Sequence, residues 1–166
     1  MNPKKRITAD TLRQLPPAKV KQLFTQLGPA KVDELQHDWS FWGRDAQFPP
    51  TDNEWNTWLI NAGRGFGKTR CGAEWVREQV KLGHKRIACV ASTNSDIERV
   101  MVKGESGFLS VCWKHDKDNK GKLMGFPEWS PTKRSLTWAN GAKVEFYSAE
   151  EPERLRGPQF SAAWCD

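Results

Sequence analysis

Ala62-Gly63-Arg64-Gly65-Phe66-Gly67-Lys68-Thr69 places three glycines, two cations and a hydroxyl within eight consecutive positions. That combination suits a polyphosphate. Glycines let the backbone wrap an anion so that successive N–H groups point inward. A helix opening directly after the turn adds about half a positive charge at its N-terminus. Lys68 can then reach the outer phosphates, and the Thr69 hydroxyl can hold Mg²⁺. The general P-loop (Walker A) pattern is G-x-x-x-x-G-K-[ST]. Here Ala62 stands at the leading position, and Gly63, Gly65 and Gly67 supply the freedom instead. The plainer alternative is a glycine turn before a basic helix. Arg64 reads as a second phosphate-facing cation in preference to a solvent-exposed charge.

Two further positions carry chemistry. Gln47, in Arg44-Asp45-Ala46-Gln47-Phe48-Pro49-Pro50, has an amide with one acceptor and two donors, which matches the N6 and N7 edge of adenine. A glutamine in a loop is ordinarily just solvated; what singles this one out is its place shortly before the first expected strand. Asp166 follows an apolar run, Gln159 to Cys165, that reads as a strand. A carboxylate at the end of a strand beside the phosphate loop holds Mg²⁺ through water in P-loop ATPases. The alternative for Asp166 is an exposed terminal carboxylate.

These residues need elements to position them. Thr57 to Ala62 (TWLINA) has a strand's length and runs into the glycine turn. Lys68 to Leu82 carries Trp75, Val76 and Val80 at helical spacing, with Gly83 placed to end the helix. Arg86 to Ser92 (RIACVAS) is a second buried-type strand, and Thr93 or Asn94 can cap a helix to about Val102. Strand, helix, strand, helix is the βαβ pattern of a parallel sheet covered on both faces. Lys114 to Lys122 reads as a polar loop. Leu136 and Trp138, then Val144, Phe146 and Ser148, alternate around Asn140-Gly141, a type I′ hairpin signal. Ahead of all this, Thr8 or Asp10 can cap a helix to Leu15, which Pro16-Pro17 break. Lys19 to Leu27 and Ala30 to Gln36 follow as helices separated by Gly28-Pro29, and His37 to Asn56 is irregular. The expected fold is a three-layer, mostly parallel α/β sheet of the P-loop NTPase type, incomplete at its C-terminal side. A helical appendage (residues 1–38) precedes the partial ATPase domain (residues 39–166).

Composition narrows the classes. With 166 residues, 37% apolar and 28% charged, the chain has the make-up of one globular domain rather than a disordered or fibrous protein. No apolar run approaches the roughly 20 residues of a membrane span, and no apolar segment follows the basic start Met1–Arg6, so neither a membrane protein nor a secretory signal is expected. Cys71, Cys89, Cys112 and Cys165 are widely spaced, which argues against a zinc site or a disulfide framework and for buried free thiols in a reducing cytoplasm. The formal charge of +6 makes an anionic partner such as nucleic acid plausible without requiring one. Nine tryptophans against one tyrosine suggest flat core contacts and carry no functional reading.

Three blocks, WGRDAQFPP, WLINAGRGFGKTRCGAEWV and YSAEEPERLRGPQFSAAWCD, spread over residues 39–166, together resemble the N-terminal part of the large terminase subunit of tailed double-stranded DNA phages and prophages. The resemblance implies an ATP-hydrolysing motor that drives viral DNA into a procapsid. It maps the family's adenine-reading glutamine to Gln47, its phosphate loop to Gly63–Thr69 and its metal-binding aspartate to Asp166. Lys68 and Arg64 then stabilise the phosphates, and Thr69 and Asp166 hold Mg²⁺. The implied partners are double-stranded DNA, the small terminase subunit and the portal protein, with a homo-oligomer in the full-length motor. The implied place is the bacterial host cytoplasm, with no membrane. The family's catalytic glutamate would be residue 167, and its further strands and C-terminal nuclease domain have no counterpart. On this reading the chain is a truncated piece, a partial gene product or a prophage remnant, expected to turn over ATP negligibly. The competing readings are a non-catalytic fragment that keeps only nucleotide or partner binding, and an unrelated P-loop enzyme such as a small-molecule kinase. The last is disfavoured because nothing resembles a lid or an acceptor site.

Overall fold

Thr8 begins the first helix by accepting the Thr11 N–H on its hydroxyl, and α1 (Ala9–Arg13) follows. The computed structural model describes residues 8–51 and 54–166, so the basic start Met1–Arg6 lies outside the described residues. The chain divides into two compact units, Met1–Trp58 and Leu59–Asp166.

In the first unit, α2 (Pro17–Gln36) opens on a proline at its first helical position and breaks at Gly28, whose φ of 75° lies in the left-handed region. Pro29 then starts the second half, as the Gly28-Pro29 pair suggested. None of the residues of α2 is buried, and Leu23 and Leu27 of its apolar stripe are exposed. The stretch expected to be irregular contains α3 (Trp39–Trp42), capped by Asp38, and a 3₁₀ turn at Asp45–Gln47. Gly43 is needed there, since a Cβ would lie 2.5 Å from the Phe48 ring and 2.9 Å from the Trp39 ring.

The second unit is α/β, built on five strands. Helix α4 (Lys68–Leu82) ends where expected: Gly83, at φ 105°, and His84 donate to Val80 and Gln79 carbonyls in a Schellman arrangement. Strand β1 (Arg86–Ala91) leads to Thr93, whose hydroxyl accepts the Asp96 N–H and caps α5 (Asn94–Asp96); the helix continues as a π-helical turn, Ile97–Val102. Then come α6 (Phe108–Val111), β2 (Glu128–Ser130), β3 (Ser135–Thr137), β4 (Lys143–Ser148), a 3₁₀ turn at Pro152–Leu155, and β5 (Ala162–Cys165). The sheet order is β2-β3-β4-β1-β5. Strand β1 is central and parallel to both β4 and β5, while β2, β3 and β4 form an antiparallel meander.

The sheet departs from the expected architecture in four ways. It is mixed rather than mostly parallel, because the hairpin joins the same sheet instead of standing apart. The core is one cluster in which Ala73, Val76 and Val80 of α4, Met101 and Phe108 meet Ile87, Cys89, Val144, Phe146 and Trp164. Those strand residues are one alternating set, so the helices of this core cover one face and the arrangement is two-layered there, not three-layered. On the opposite face Phe160 packs edge-on against Tyr147 with ring centroids 5.7 Å apart, and Arg86 lies over the same ring at 5.3 Å. On this face of β1 Ala88 is buried, Val90 half-buried and Arg86 exposed, so RIACVAS is only partly covered on its second side.

Third, residues 57–62 form no strand: β4 and β5 occupy both edges of β1, no described strand pairs with TWLINA, and Leu59 is 82% exposed. Apolar character supplied the propensity, but a strand also needs a partner. Fourth, the hairpin turn is not type I′. Gly141 has φ 81° but Asn140 is not in the left-handed region, and Gly141 N–H donates to Trp138 O while Trp138 N–H donates to Ala142 O. That is a type I turn closed by a glycine bulge. Arg134, in the β2–β3 turn, is the one described non-glycine residue with positive φ, at 46°, a conformation that costs about 1–2 kcal/mol. All four cysteines are free; Cys71, Cys89 and Cys112 are buried as expected, whereas Cys165 is exposed. Among the described residues no helix is long and apolar enough to cross a membrane.

Candidate functional site

The loop before α4 has the backbone its glycines permit. Gly65 (φ 81°) and Gly67 (φ 91°) are left-handed, and Gly67 is the residue from which α4 starts. Gly63 is not left-handed and a Cβ there would meet nothing within 4 Å, so its role is not steric. Phe66 N–H closes the turn onto Gly63 O at 3.4 Å. The Lys68 ammonium folds back into the loop and donates to Ala62 O at 2.9 Å and Gly63 O at 3.1 Å. Arg64 is exposed and makes no hydrogen bond or ion pair among the described residues.

Thr69, one residue into the helix, meets Asp166. Its hydroxyl lies 3.1 Å and 3.4 Å from the two carboxylate oxygens, across 97 residues of sequence. Two contacts bring them together. Asp166 N–H donates to Val90 O at 3.0 Å, fixing the end of β5 on the central strand. One turn along α4 from Thr69, Gly72 presses against Trp164: a Cβ on Gly72 would lie 2.0 Å from the indole ring. The bare helix surface at Gly72 is what lets α4 and β5 approach closely enough for the pair to touch. Parallel β1, β4 and β5 end on the same edge of the sheet, the edge outside which open α/β sheets bind ligands.

Gln47 belongs to the first unit. It is buried, and its amide oxygen accepts from the Arg44 backbone N–H at 3.0 Å and from Arg44 Nε at 3.3 Å. Both lone pairs of that oxygen are thereby engaged, so a base reading it must displace the Arg44 side chain.

Sequence reasoning missed the charges beneath α4. Lys114–Lys122 reads from its composition as a polar loop, yet Asp116 within it is 3% exposed and accepts two hydrogen bonds from Arg77, one of 2.7 Å from Nε. Glu74, equally buried, bridges Arg77 and Arg70 on the helix. Burial pushes the Asp116 carboxyl up, but the Arg77 hydrogen bonds and charge, with Lys81 and the Trp113 N–H, outweigh it and hold the group below the usual carboxylate range. Burial likewise pushes the neighbouring Cys112 thiol up to about 12. The one available signal was the i, i+4, i+7, i+11 run Arg70, Glu74, Arg77, Lys81, a charged stripe on a helix that also carries core residues. For Gly72, the signal was a glycine inside a helix, where it costs about 1 kcal/mol against alanine unless packing requires it.

Among the described residues no group of three or more His, Cys, Asp or Glu side chains is placed to hold a metal. A hydroxyl and a carboxylate at 3.1 Å are, however, the hard-oxygen donors that Mg²⁺ takes alongside phosphates and water. The fold and site together define an α/β domain with a glycine loop opening a helix and a strand-end carboxylate bonded to that helix's first hydroxyl. Residues 59–166 match the family described as terminase large subunit, T4likevirus-type, N-terminal. That span is more than half of the chain and coincides with the second unit, and the chain belongs to this family of phage DNA-packaging proteins. No curated protein and no solved structure matches it.

Proposed function

We propose that the chain binds ATP with Mg²⁺ as the nucleotide-binding part of a phage terminase large subunit, the ATPase that powers DNA translocation into a procapsid. The observation that carries this is the Thr69–Asp166 contact at the mouth of a helix opened by a glycine loop. The left-handed glycines turn the loop backbone toward an anion, and the first turn of α4 adds its unpaired N–H groups. Lys68 exchanges its carbonyl partners for phosphate oxygens, and exposed Arg64 adds a second cation. Thr69 and Asp166 would hold Mg²⁺, which would supply charge neutralisation at the phosphates. Gln47 reads the adenine edge once Arg44 has moved aside. The DNA, small-subunit and portal contacts of a packaging motor, and its oligomer, belong to the same proposal.

Titration of Mg·ATP into wild type and Lys68→Ala tests the reading. Losing one charge-assisted phosphate contact costs about 1.5–3 kcal/mol, so Lys68→Ala should weaken binding at least about tenfold. Asp166→Asn should weaken Mg·ATP more than metal-free ATP. Equal affinities for wild type and Lys68→Ala refute the assignment.

A further inference from the structure

Away from the glycine loop, the open end of the β2–β3 turn and the face of β4 border a cavity of about 210 Å³, whose lining includes, besides Phe146, the polar residues Thr132, Lys133, Arg134, Glu145, Tyr147 and Arg154. Three of those six side chains are cations, and the surrounding contacts leave their charge in excess. Glu145, the one carboxylate of the lining, is already engaged: Tyr147 OH donates to it at 2.9 Å, and Lys143 and Arg86 lie 3.2 Å and 3.3 Å away. Glu151 sits between Arg154 at 2.9 Å and Arg134 at 3.6 Å, and Asn94 bonds both Glu151 and Arg134. These contacts orient the two guanidinium groups without covering them, since Arg154 keeps 57% and Arg134 34% of its side chain exposed. Lys133 is exposed and has no partner among the described residues. Four cations (Arg86 and Lys143 on Glu145, Arg134 and Arg154 on Glu151) thus share two carboxylates at and beside the cavity, and Lys133 adds a fifth positive charge to its lining.

The cations also extend beyond the cavity in a line. Arg86 and Lys143 are register partners at the start of β1 and β4. From Lys143 to Tyr147 the strand advances about 13 Å, and Arg86 and Lys143, two cations on the single carboxylate of Glu145, extend the net positive charge from the strand starts to the cavity. A single small anion needs only the cavity. A line of this length fits a repeating anion, such as one strand of a duplex with its phosphates about 3.4 Å apart along the axis.

We propose that this cavity and the Arg86–Lys143 line form a phosphate-recognition track for the backbone of double-stranded DNA. The inference rests on membership in a DNA-packaging family and is independent of ATP binding at the glycine loop. Base reading is not involved: the lining offers cations and hydroxyls of the kind that position a phosphate backbone.

The test measures affinity of the full 166-residue chain for a short labelled duplex by anisotropy across a range of KCl concentrations. Lys133→Ala and Arg154→Ala should each weaken binding several-fold. Each should also flatten the slope of log K against log[salt] by about 0.9, the value for one lost phosphate contact. Lys133→Arg should restore the slope. Lys21→Ala, which removes the same charge from α2, should leave it unchanged. Titrating Mg·ATP into Lys133→Ala separates the sources of phosphate: unchanged ATP affinity is expected. Weakened ATP affinity with an unaltered duplex slope assigns the cavity to a free nucleotide and overturns the proposal. Wild-type slopes in both alanine variants, or no measurable duplex binding by wild type, overturn it as well. A chain that binds DNA in this way yet binds no ATP would sink the glycine-loop reading alone.

Discussion

Gly72→Ala is the most informative single perturbation, because helix propensity and packing forecast opposite outcomes. Alanine in place of a helix-interior glycine contributes about 1 kcal/mol to stability. Here the new Cβ would stand 2.0, 2.3 and 2.5 Å from Trp164 Cε2, Nε1 and Cζ2. An ordinary contact begins at 3.4 Å, so the ring must retreat by more than 1 Å. Trp164 has little room to do so, being 8% exposed and packed edge-on against Phe108 with centroids 5.9 Å apart. Forcing atoms into a packed core costs about 1–3 kcal/mol, and a rigid ring met at this distance belongs at the top of that range. The net expectation is a loss of about 2 kcal/mol, or roughly 10 °C in Tm for a domain of this size. Displacement of β5 should also part Thr69 from Asp166 and weaken Mg·ATP binding. The assay is thermal denaturation of wild type, Gly72→Ala, Trp164→Leu and the double variant. In the double variant, the cost of alanine at position 72 should vanish. An unchanged or raised Tm in Gly72→Ala alone would falsify the close approach of α4 and β5.

Three further outcomes are expected. Gln47→Ala should narrow the gap between ATP and GTP affinity while leaving triphosphate binding largely intact; unchanged discrimination in a competition assay returns Gln47 to a purely local role with Arg44. Asp116, held below its ordinary range, contributes stability that is present above its unfolded pKa of about 3.9 and is lost as pH falls through the lower folded value. Urea unfolding of wild type should therefore weaken toward acid, whereas Asp116→Asn should lose about 3 kcal/mol near neutral pH and show a shallower acid dependence, the loss kept low because Glu74 still faces Arg77. Gly83→Ala should cost about 1 kcal/mol by strain alone, since φ is 105° and a Cβ there would meet nothing within 4 Å; a calorimetric Tm matching wild type would count against it.

What the residues disclosed beforehand was whatever depends on neighbours in sequence. Helix α4 was readable to its last residue because a glycine starts it, a glycine stops it and apolar residues recur at helical spacing between. Thr93 as a cap, the Gly28 break and the hairpin around Asn140-Gly141 are signals of the same local kind, although the turn's exact geometry depends on strand twist and bulge. The misreadings are all non-local. TWLINA has strand composition, but the edges of β1 are taken by β4 and β5. Asp116 sits in a segment dense with lysines and is buried only because Arg77 lies beneath it, 39 residues earlier. Of the candidate site, the types and spacing of Gly63–Thr69 were evident, and so was the value of a strand-end carboxylate. The resemblance assigns Thr69 and Asp166 to one metal; their direct contact and the Gly72–Trp164 packing that permits it follow from the tertiary fold and have no local signal.

The same contact sets the order of assembly. Thr69 and Asp166 are separated by 97 residues, and β5 pairs with no described strand but β1. The pair cannot close until the central strand is laid down and the last one has docked on it. Such high-contact-order closure carries a loop entropy that only the finished sheet offsets. Helix α4, β1 and the meander can each gain structure earlier without bringing the hydroxyl and carboxylate together. A ligand that bridges them is therefore a late reporter of folding: it distinguishes a chain whose sheet is complete from one that merely has its secondary structure. It also shifts the population toward the complete state by mass action as its concentration rises above its dissociation constant.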